Sequence, residues 1–311
     1  MPAADPVAVV GMGAVGTLLG GGLAAAGHPI LACGRAPITS ITITSGTSQV
    51  SYPVTWTDQP RDLRHVRWTV LATKIHDTPA AANWLAALSA GQRLIAAQNG
   101  VDHRERLTPL TQAAVVPVLV YPNAERTGPG QVHARATGRG LLMPDDPPGR
   151  SAAALFADTG LPVETVPDFR TASWEKLLTN VIANPLTALT GRRAEVLREP
   201  AVAGLALDLL LEATAVARAE GAKLADDVAA STLAWLQALP SGATSSMLQD
   251  REAGRPLEHD GLIGPVVRGG ARHGLATPAS RTVLALLSAL PTASAATEPR
   301  GDSADGARSG P

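Results

Sequence analysis

The sequence has one cysteine, Cys33, in 311 residues, and no surplus of charge of either sign: the formal net charge is −1 and 17% of residues are charged. A single thiol excludes an internal disulfide framework and any cysteine-rich metal site, and it fits a reducing compartment. Cys33 itself reads as a small buried strand residue. Without a basic surplus, nucleic acid is not an expected partner. Internal repeats and metal-ligand spacings are also missing: His28, His65, His76, His103, His133, His259 and His273 stand singly. Residues 7–27 are apolar and almost uncharged, but only Asp5 precedes them in place of a basic flank. Gly11, Gly13, Gly16, Gly20, Gly21, Gly22 and Gly27 break the run. That pattern suits neither a secretion signal nor a membrane span. The expectation is a cytoplasmic protein without a membrane partner. Its length exceeds one ordinary core, so two domains are expected.

What is present begins at residue 7. A short apolar run, 7–10, leads into Gly11-Met12-Gly13-Ala14-Val15-Gly16 and then a helical pattern through Ala26. G-x-G-x-x-G between a strand and a helix is the context in which this motif holds a dinucleotide. The first glycine makes the tight turn, the second admits the pyrophosphate, and the third lets helix and strand pack closely. The free N–H groups and dipole of the helix start favour phosphate. The bland alternative is a structural glycine turn. Residues 29–33 form the expected second strand, ending in Gly34-Arg35. An NAD site wants an acid here for the ribose hydroxyls. None is present, and the Arg35 guanidinium suits a 2′-phosphate, so NADPH/NADP+ is the expected cofactor. An ordinary surface charge is the other reading of Arg35.

Residues 41–55 alternate as a hairpin or pair of strands. Strands at 68–72 and 93–97 deliver Thr73-Lys74 and Gln98-Asn99-Gly100 to their carboxyl ends, where an open parallel sheet binds ligands. A helix is expected over 77–90, a strand over 115–120, further strands around Val132 and Leu141, a helix over 151–158 and a last strand at 163–166. From residue 168 onward the pattern is helical. The reading is an α/β chain with an N-terminal Rossmann dinucleotide-binding domain over 1–167, an all-helical C-terminal domain over 168–290, and a disordered tail over 291–311.

The helical half opens on residues 173–191, S-W-E-K-L-L-T-N-V-I-A-N-P-L-T-A-L-T-G. Lys176, Asn180 and Asn184 fall at i, i+4 and i+8, so a helix stacks them in one row. Pro185 should kink or end the helix beside Asn184. A solvated stripe would carry several charges rather than two asparagines, which are poor helix formers. Residues 203–220, apolar nearly all round, mark a helix buried inside the domain. Helices over 225–239 and 276–290 flank two further candidates. Thr244, Ser245 and Ser246 lie at a helix start, where capping is the common role of hydroxyls. Glu258, His259 and Asp260 open another helix, where acids often serve the dipole.

These segments resemble the ketopantoate reductases (2-dehydropantoate 2-reductases) along the chain to about residue 290. The segments concerned are G-M-G-A-V-G at 11–16, Lys74, Q-N-G at 98–100, K-L-L-T-N-V-I-A-N-P-L-T-A-L-T-G at 176–191 and S-S-M-L-Q-D-x-E-A-G-R-P-L-E at 245–258. The resemblance implies NADPH reduction of a branched 2-oxo acid in a cleft between the two domains. It implies Lys176 as general acid and Asn99 as an amide touching both cofactor and substrate. It further implies Asn180 and Asn184 as substrate-binding amides, Ser246 as the holder of the substrate carboxylate, Glu258 beside the cofactor ribose and the lysine, and Ala124 near a backbone contact to the cofactor. In one respect the sequence departs from some members: Ala194 stands where they carry a further substrate-binding asparagine. Reduction of another small 2-oxo acid is therefore an alternative, as are an NADP-binding regulator without turnover and an amine-forming dehydrogenase on a similar scaffold. A homodimer is open to such a fold; the sequence leaves the oligomeric state unfixed.

Overall fold

The computed structural model describes residues 5–135 and 138–291. Apart from Pro291, the expected tail lies outside the described residues.

The N-terminal half is built on a six-stranded parallel sheet in the order β5-β2-β1-β6-β7-β8. Its strands are β1 (Val7–Val10), β2 (Ile30–Cys33), β5 (Thr55–Thr57), β6 (Trp68–Leu71), β7 (Arg93–Ala96) and β8 (Ala114–Pro117). Alternate residues feed two cores, one on each face. Val7, Val9, Val70 and Ile95 point to one, and Ala8, Val10, Leu71 and Leu94 to the other. Helix α1 (Ala14–Ala25) follows β1 directly. Cys33 is fully buried in β2, and burial pushes its thiol up to about 12.

Two smaller sheets flank this core. One has the order β10-β11-β3-β4, from β3 (Ser40–Ser45), β4 (Ser48–Pro53), β10 (Asn123–Gly128) and β11 (Gln131–Arg135), and packs on α1. The other, β13-β12-β9, joins β9 (Leu119–Val120), β12 (Leu141–Pro144) and β13 (Val163–Val166). The strand expected over 115–120 is thus two strands in two sheets, with Val118 between them. The helix expected over 77–90 is also broken. Two 3-10 turns, Ile75–Asp77 and Pro79–Ala81, precede the five-residue α2 (Ala82–Ala86). Pro79 has no N–H to continue a helix from the first turn. Helices α3 (His103–Leu107) and α4 (Pro147–Leu155) complete this half.

From α5 (Phe169–Thr190) onward, every described element is helical. The others are α6 (Pro200–Ala219), α7 (Val228–Gln237), α8 (Ser246–Glu252), α9 (His259–Leu262), α10 (Gly264–His273) and α11 (Pro278–Ser288), besides a 3-10 turn at Ala194–Arg198. Asp168 caps α5 by accepting from Thr171 N at 3.0 Å. Gly191, at φ 69°, closes it in the left-handed conformation that favours glycine.

Pro185 does not end α5. The helix runs five residues past it, to Thr190. The missing bond costs about 3 kcal/mol. Against that, α5 buries Leu177, Leu178, Val181, Ile182 and Leu186 against its neighbours, each contributing roughly 1.5–3 kcal/mol. Packing outweighs the local break. Helix α6 is long and apolar enough to cross a membrane by length and composition, yet it packs on α5, α7, α10 and α11. It is not buried all round: Leu211 is 53% exposed.

Candidate active site

The strands of the parallel sheet end in register. Val10 pairs with Cys33 and with Leu71, and Leu71 pairs with Ala96. One edge therefore presents Gly11, Gly34-Arg35, Thr73-Lys74 and Gln98-Asn99 together. Gly11 has φ 96°, and a side chain there would meet the Thr73 backbone N at 2.6 Å. A Cβ on Gly16 would lie 2.0 Å from the Gly11 carbonyl oxygen. Gly13 differs: a Cβ there meets nothing within 4 Å. No side chain caps the start of α1, so its first N–H groups have no partner within the helix. Close packing at the outer glycines, open space at the middle one and an uncapped helix start fit a dinucleotide pyrophosphate. Met12, Ala14 and Val15 are half-buried around this turn, and Arg35 is exposed beyond β2.

Gln98 is held by four side-chain bonds. Its Nε2 donates to Thr73 O (3.0 Å), Thr73 Oγ1 (3.1 Å) and Thr78 Oγ1 (3.1 Å), while its Oε1 accepts from Arg106 Nη1 (3.3 Å). The buried His103 ring bonds Gln98 O at 2.8 Å, and burial holds that imidazole down at about 4, hence neutral. This clamp fixes the neighbouring Asn99, whose Nδ2 donates to Glu258 Oε2 at 3.2 Å. Glu258 Oε1 accepts from Ile75 N at 3.0 Å. The carboxylate at the start of α9 thus binds the edge of the other domain rather than its own helix.

Facing this edge, α5 carries the row. Asn184 Nδ2 donates to Asn180 Oδ1 at 3.2 Å, and Asn184 Oδ1 accepts from Ser246 Oγ and Met247 N, both at 3.0 Å. The two neighbouring serines divide their work. Ser245 caps α8 by accepting from Leu248 N (3.1 Å), leaving Ser246 exposed beside the row. Lys176 heads the row, half-buried. Desolvation lowers its ammonium to about 8, against an opposing pull from the Glu258 charge. Such a group is charged at neutral pH yet close to giving up its proton.

Two matches to known proteins cover most of the chain. Residues 7–143 match the family model described as ketopantoate reductase PanE/ApbA, and residues 168–291 match its C-terminal part. A 2-dehydropantoate 2-reductase of Caulobacter vibrioides is 37% identical over 286 residues, covering 91% of this chain and 98% of that protein. One from Mycobacterium tuberculosis is 38% identical over 290 residues, covering 92% and 98%. The chain belongs to the ketopantoate reductase family. Among solved structures, a PanE/ApbA family ketopantoate reductase from Ralstonia eutropha superposes with a TM-score of 0.83 at 34% identity, over 91% of this chain and 97% of that one.

Within this ketopantoate reductase fold, Asn180, Asn184 and Ser246 form one hydrogen-bonded chain on the row that Lys176 heads, and Asn99 and Glu258 join the sheet edge to the helical half. Lys74 is not free at the sheet edge: its ammonium pairs with Asp250, which also accepts from Arg255 Nε at 2.9 Å. Ala124 lies half-buried on β10 opposite Ala134. Ala194 is buried, its N–H donating to Ala243 O at 2.9 Å. Sequence reasoning missed three residues. Asp250 lies inside a quoted motif but had no assigned partner. Gln98 is the clamp behind Asn99. Tyr121, the residue after β9, places its ring centroid 5.5 Å from Lys176 Nζ, and no spacing in the sequence signals that.

Proposed function

We propose that the protein reduces 2-dehydropantoate (ketopantoate) to pantoate with NADPH, a step toward pantothenate and coenzyme A, with Lys176 as general acid. The observation that carries this reading is the desolvated Lys176 ammonium at the head of an asparagine row. The glycine turn and Arg35 would hold NADPH, which when bound supplies hydride to the carbonyl carbon. Lys176 hydrogen-bonds the carbonyl oxygen, stabilises the charge that develops there and donates its proton to it. Asn180 and Asn184 orient the polar substrate without adding negative charge. Asn99 and Glu258 tie the cofactor edge to the lysine, and Lys74 and Ala124 complete the cofactor side. The reading divides the chain after residue 167, assigns 168–290 to substrate, and takes the protein as cytoplasmic. It also allows a homodimer.

NADPH oxidation by the purified protein across a panel of 2-oxo acids tests this, with ketopantoate expected to give the highest kcat/KM. Ala194, which offers no amide where some relatives have one, favours a second reading in which another small 2-oxo acid leads the panel. Absence of turnover with any acid would leave a binding protein, and dependence on ammonium or an amine would mark an amine-forming dehydrogenase.

Two variants examine the ends of the site. Arg35→Ala should erase the preference for NADPH over NADH. One charge-assisted phosphate contact contributes ~1.5–3 kcal/mol, a preference of roughly tenfold to hundredfold. Titration of both cofactors checks it, and equal affinities in the wild type would end the NADP assignment. At the other end, the Ser246 hydroxyl of the free protein donates to Asn184. Substrate binding would exchange that neutral bond for one to a carboxylate, a net gain of about 1 kcal/mol. Ser246→Ala should raise KM for the 2-oxo acid about fivefold and leave NADPH affinity unchanged. An equal fall in both affinities would place Ser246 elsewhere.

A further inference from the structure

Lys176 Nζ makes no hydrogen bond or ion pair with any described residue. The carboxylate whose charge acts on it, Glu258, has its two oxygens engaged by Asn99 and by Ile75 N. The ammonium instead stands over the Tyr121 ring, 5.5 Å from its centroid, and Arg139 Cζ lies 4.9 Å from the same centroid. Both distances are within reach of a cation–π attraction. The ring has an anchored backbone. Val120 pairs with Leu141 across β9 and β12, and Tyr121 N donates to Gly140 O at 3.1 Å.

Resting on the reading of Lys176 as general acid, we propose that Tyr121 is a positioning residue for it: the anchored ring face holds the ammonium in the cleft and stabilises its charged form. The chemistry favours a ring over a carboxylate at this place. A carboxylate would neutralise the ammonium but would also repel an anionic 2-oxo acid. A neutral ring attracts the cation and leaves the cleft open to the anion. The other groups around the lysine act in known directions. Glu258 favours its charged form and burial opposes it. His103 is held neutral by burial, the Arg139 guanidinium shares the ring, and Glu175 acts on the Tyr121 hydroxyl, which burial keeps protonated. Removing the electron density of the ring face should therefore lower the Lys176 titration.

The test reads that titration directly. The sequence contains three lysines, Lys74, Lys176 and Lys223, so lysine labelled with 13C at Cε gives three resonances to assign. They are followed against pH in the full-length protein for wild type, Tyr121→Phe and Tyr121→Leu. A further set carries phenylalanines with one, two or three ring fluorines at position 121. The Phe variant should titrate with wild type. The Leu variant should titrate about 0.5–1 unit lower, and the fluorine series should step down in order. The basic limb of kcat/KM should move with it. An unmoved Lys176 titration in the Leu and fluorinated proteins overturns the proposal. So does a Phe variant that falls as far as Leu, since the hydroxyl and not the ring face would then be responsible. If Tyr121→Leu fails to fold, the fluorinated rings, which keep their shape, decide the question alone. Because the resonance is read without turnover, an active Lys176→Ala protein would refute the general-acid role without touching this result.

Discussion

Lys176→Ala should lose turnover by ~10²–10⁴-fold while melting at or above the wild-type temperature and binding NADPH unchanged. The loss follows from a bond that strengthens as the carbonyl oxygen becomes an alkoxide, since only such differential interactions speed the chemical step. The melting behaviour follows from the direction of the pKa shift. In the folded protein the lysine titrates near 8, below its ordinary value of 10.5. Charging it therefore opposes folding fully below about pH 8, and the opposition fades as pH rises toward the unfolded value. Alanine removes that opposition at neutral pH and is also the better helix former. Steady-state rates, a thermal melt and an NADPH titration on one purified variant check all three. Near-wild-type turnover would remove Lys176 from the mechanism.

Two glycines of the first turn should respond to the same methyl group in different ways. Gly16→Ala sets a Cβ 2.0 Å from the Gly11 carbonyl oxygen. That neighbour is backbone and cannot rotate away, so the β1–α1 turn must distort, and both melting temperature and NADPH binding should fall. Gly13→Ala meets no protein atom within 4 Å and should melt as wild type. Its methyl would instead occupy the space through which a pyrophosphate approaches the helix N–H groups. Loss of charge-assisted bonds there should weaken NADPH roughly tenfold to hundredfold. Melts and cofactor titrations on both proteins separate folding from binding. Undiminished affinity in Gly13→Ala would mean that the pyrophosphate lies elsewhere.

The parts of the structure legible in the sequence are those set by neighbours in the chain. The strands β1, β2, β6 and β7 lie within a residue of their expected bounds, because short apolar runs closed by glycine or polar residues carry their own limits. The row from Lys176 to Asn184 follows from helical geometry alone. Expectations failed where distant contacts overrule local rules. Of the two outcomes expected of Pro185, a kink or a helix end, the end does not occur: α6 and α8 pack against the helix and carry it onward. The apolar run around Val118 gives no local sign that β8 and β9 belong to different sheets, since that depends on pairing with β12. Asp250 opposite Lys74, and the Tyr121 ring under Lys176, join residues far apart in sequence. No periodicity could bring them together.

The most direct test of the account is the pH dependence of kcat/KM for ketopantoate reduction with NADPH, followed from about pH 6 to about pH 10. This parameter reports the essential groups of the free enzyme. A lysine that must be protonated to act gives a level rate at low pH and a tenfold fall per unit above its pKa, with the break near 8. That break should vanish with the residual activity of Lys176→Ala. A rate that holds level to the alkaline end of the range, or one that breaks at the same pH without the lysine, would contradict the assignment of Lys176 as the proton donor.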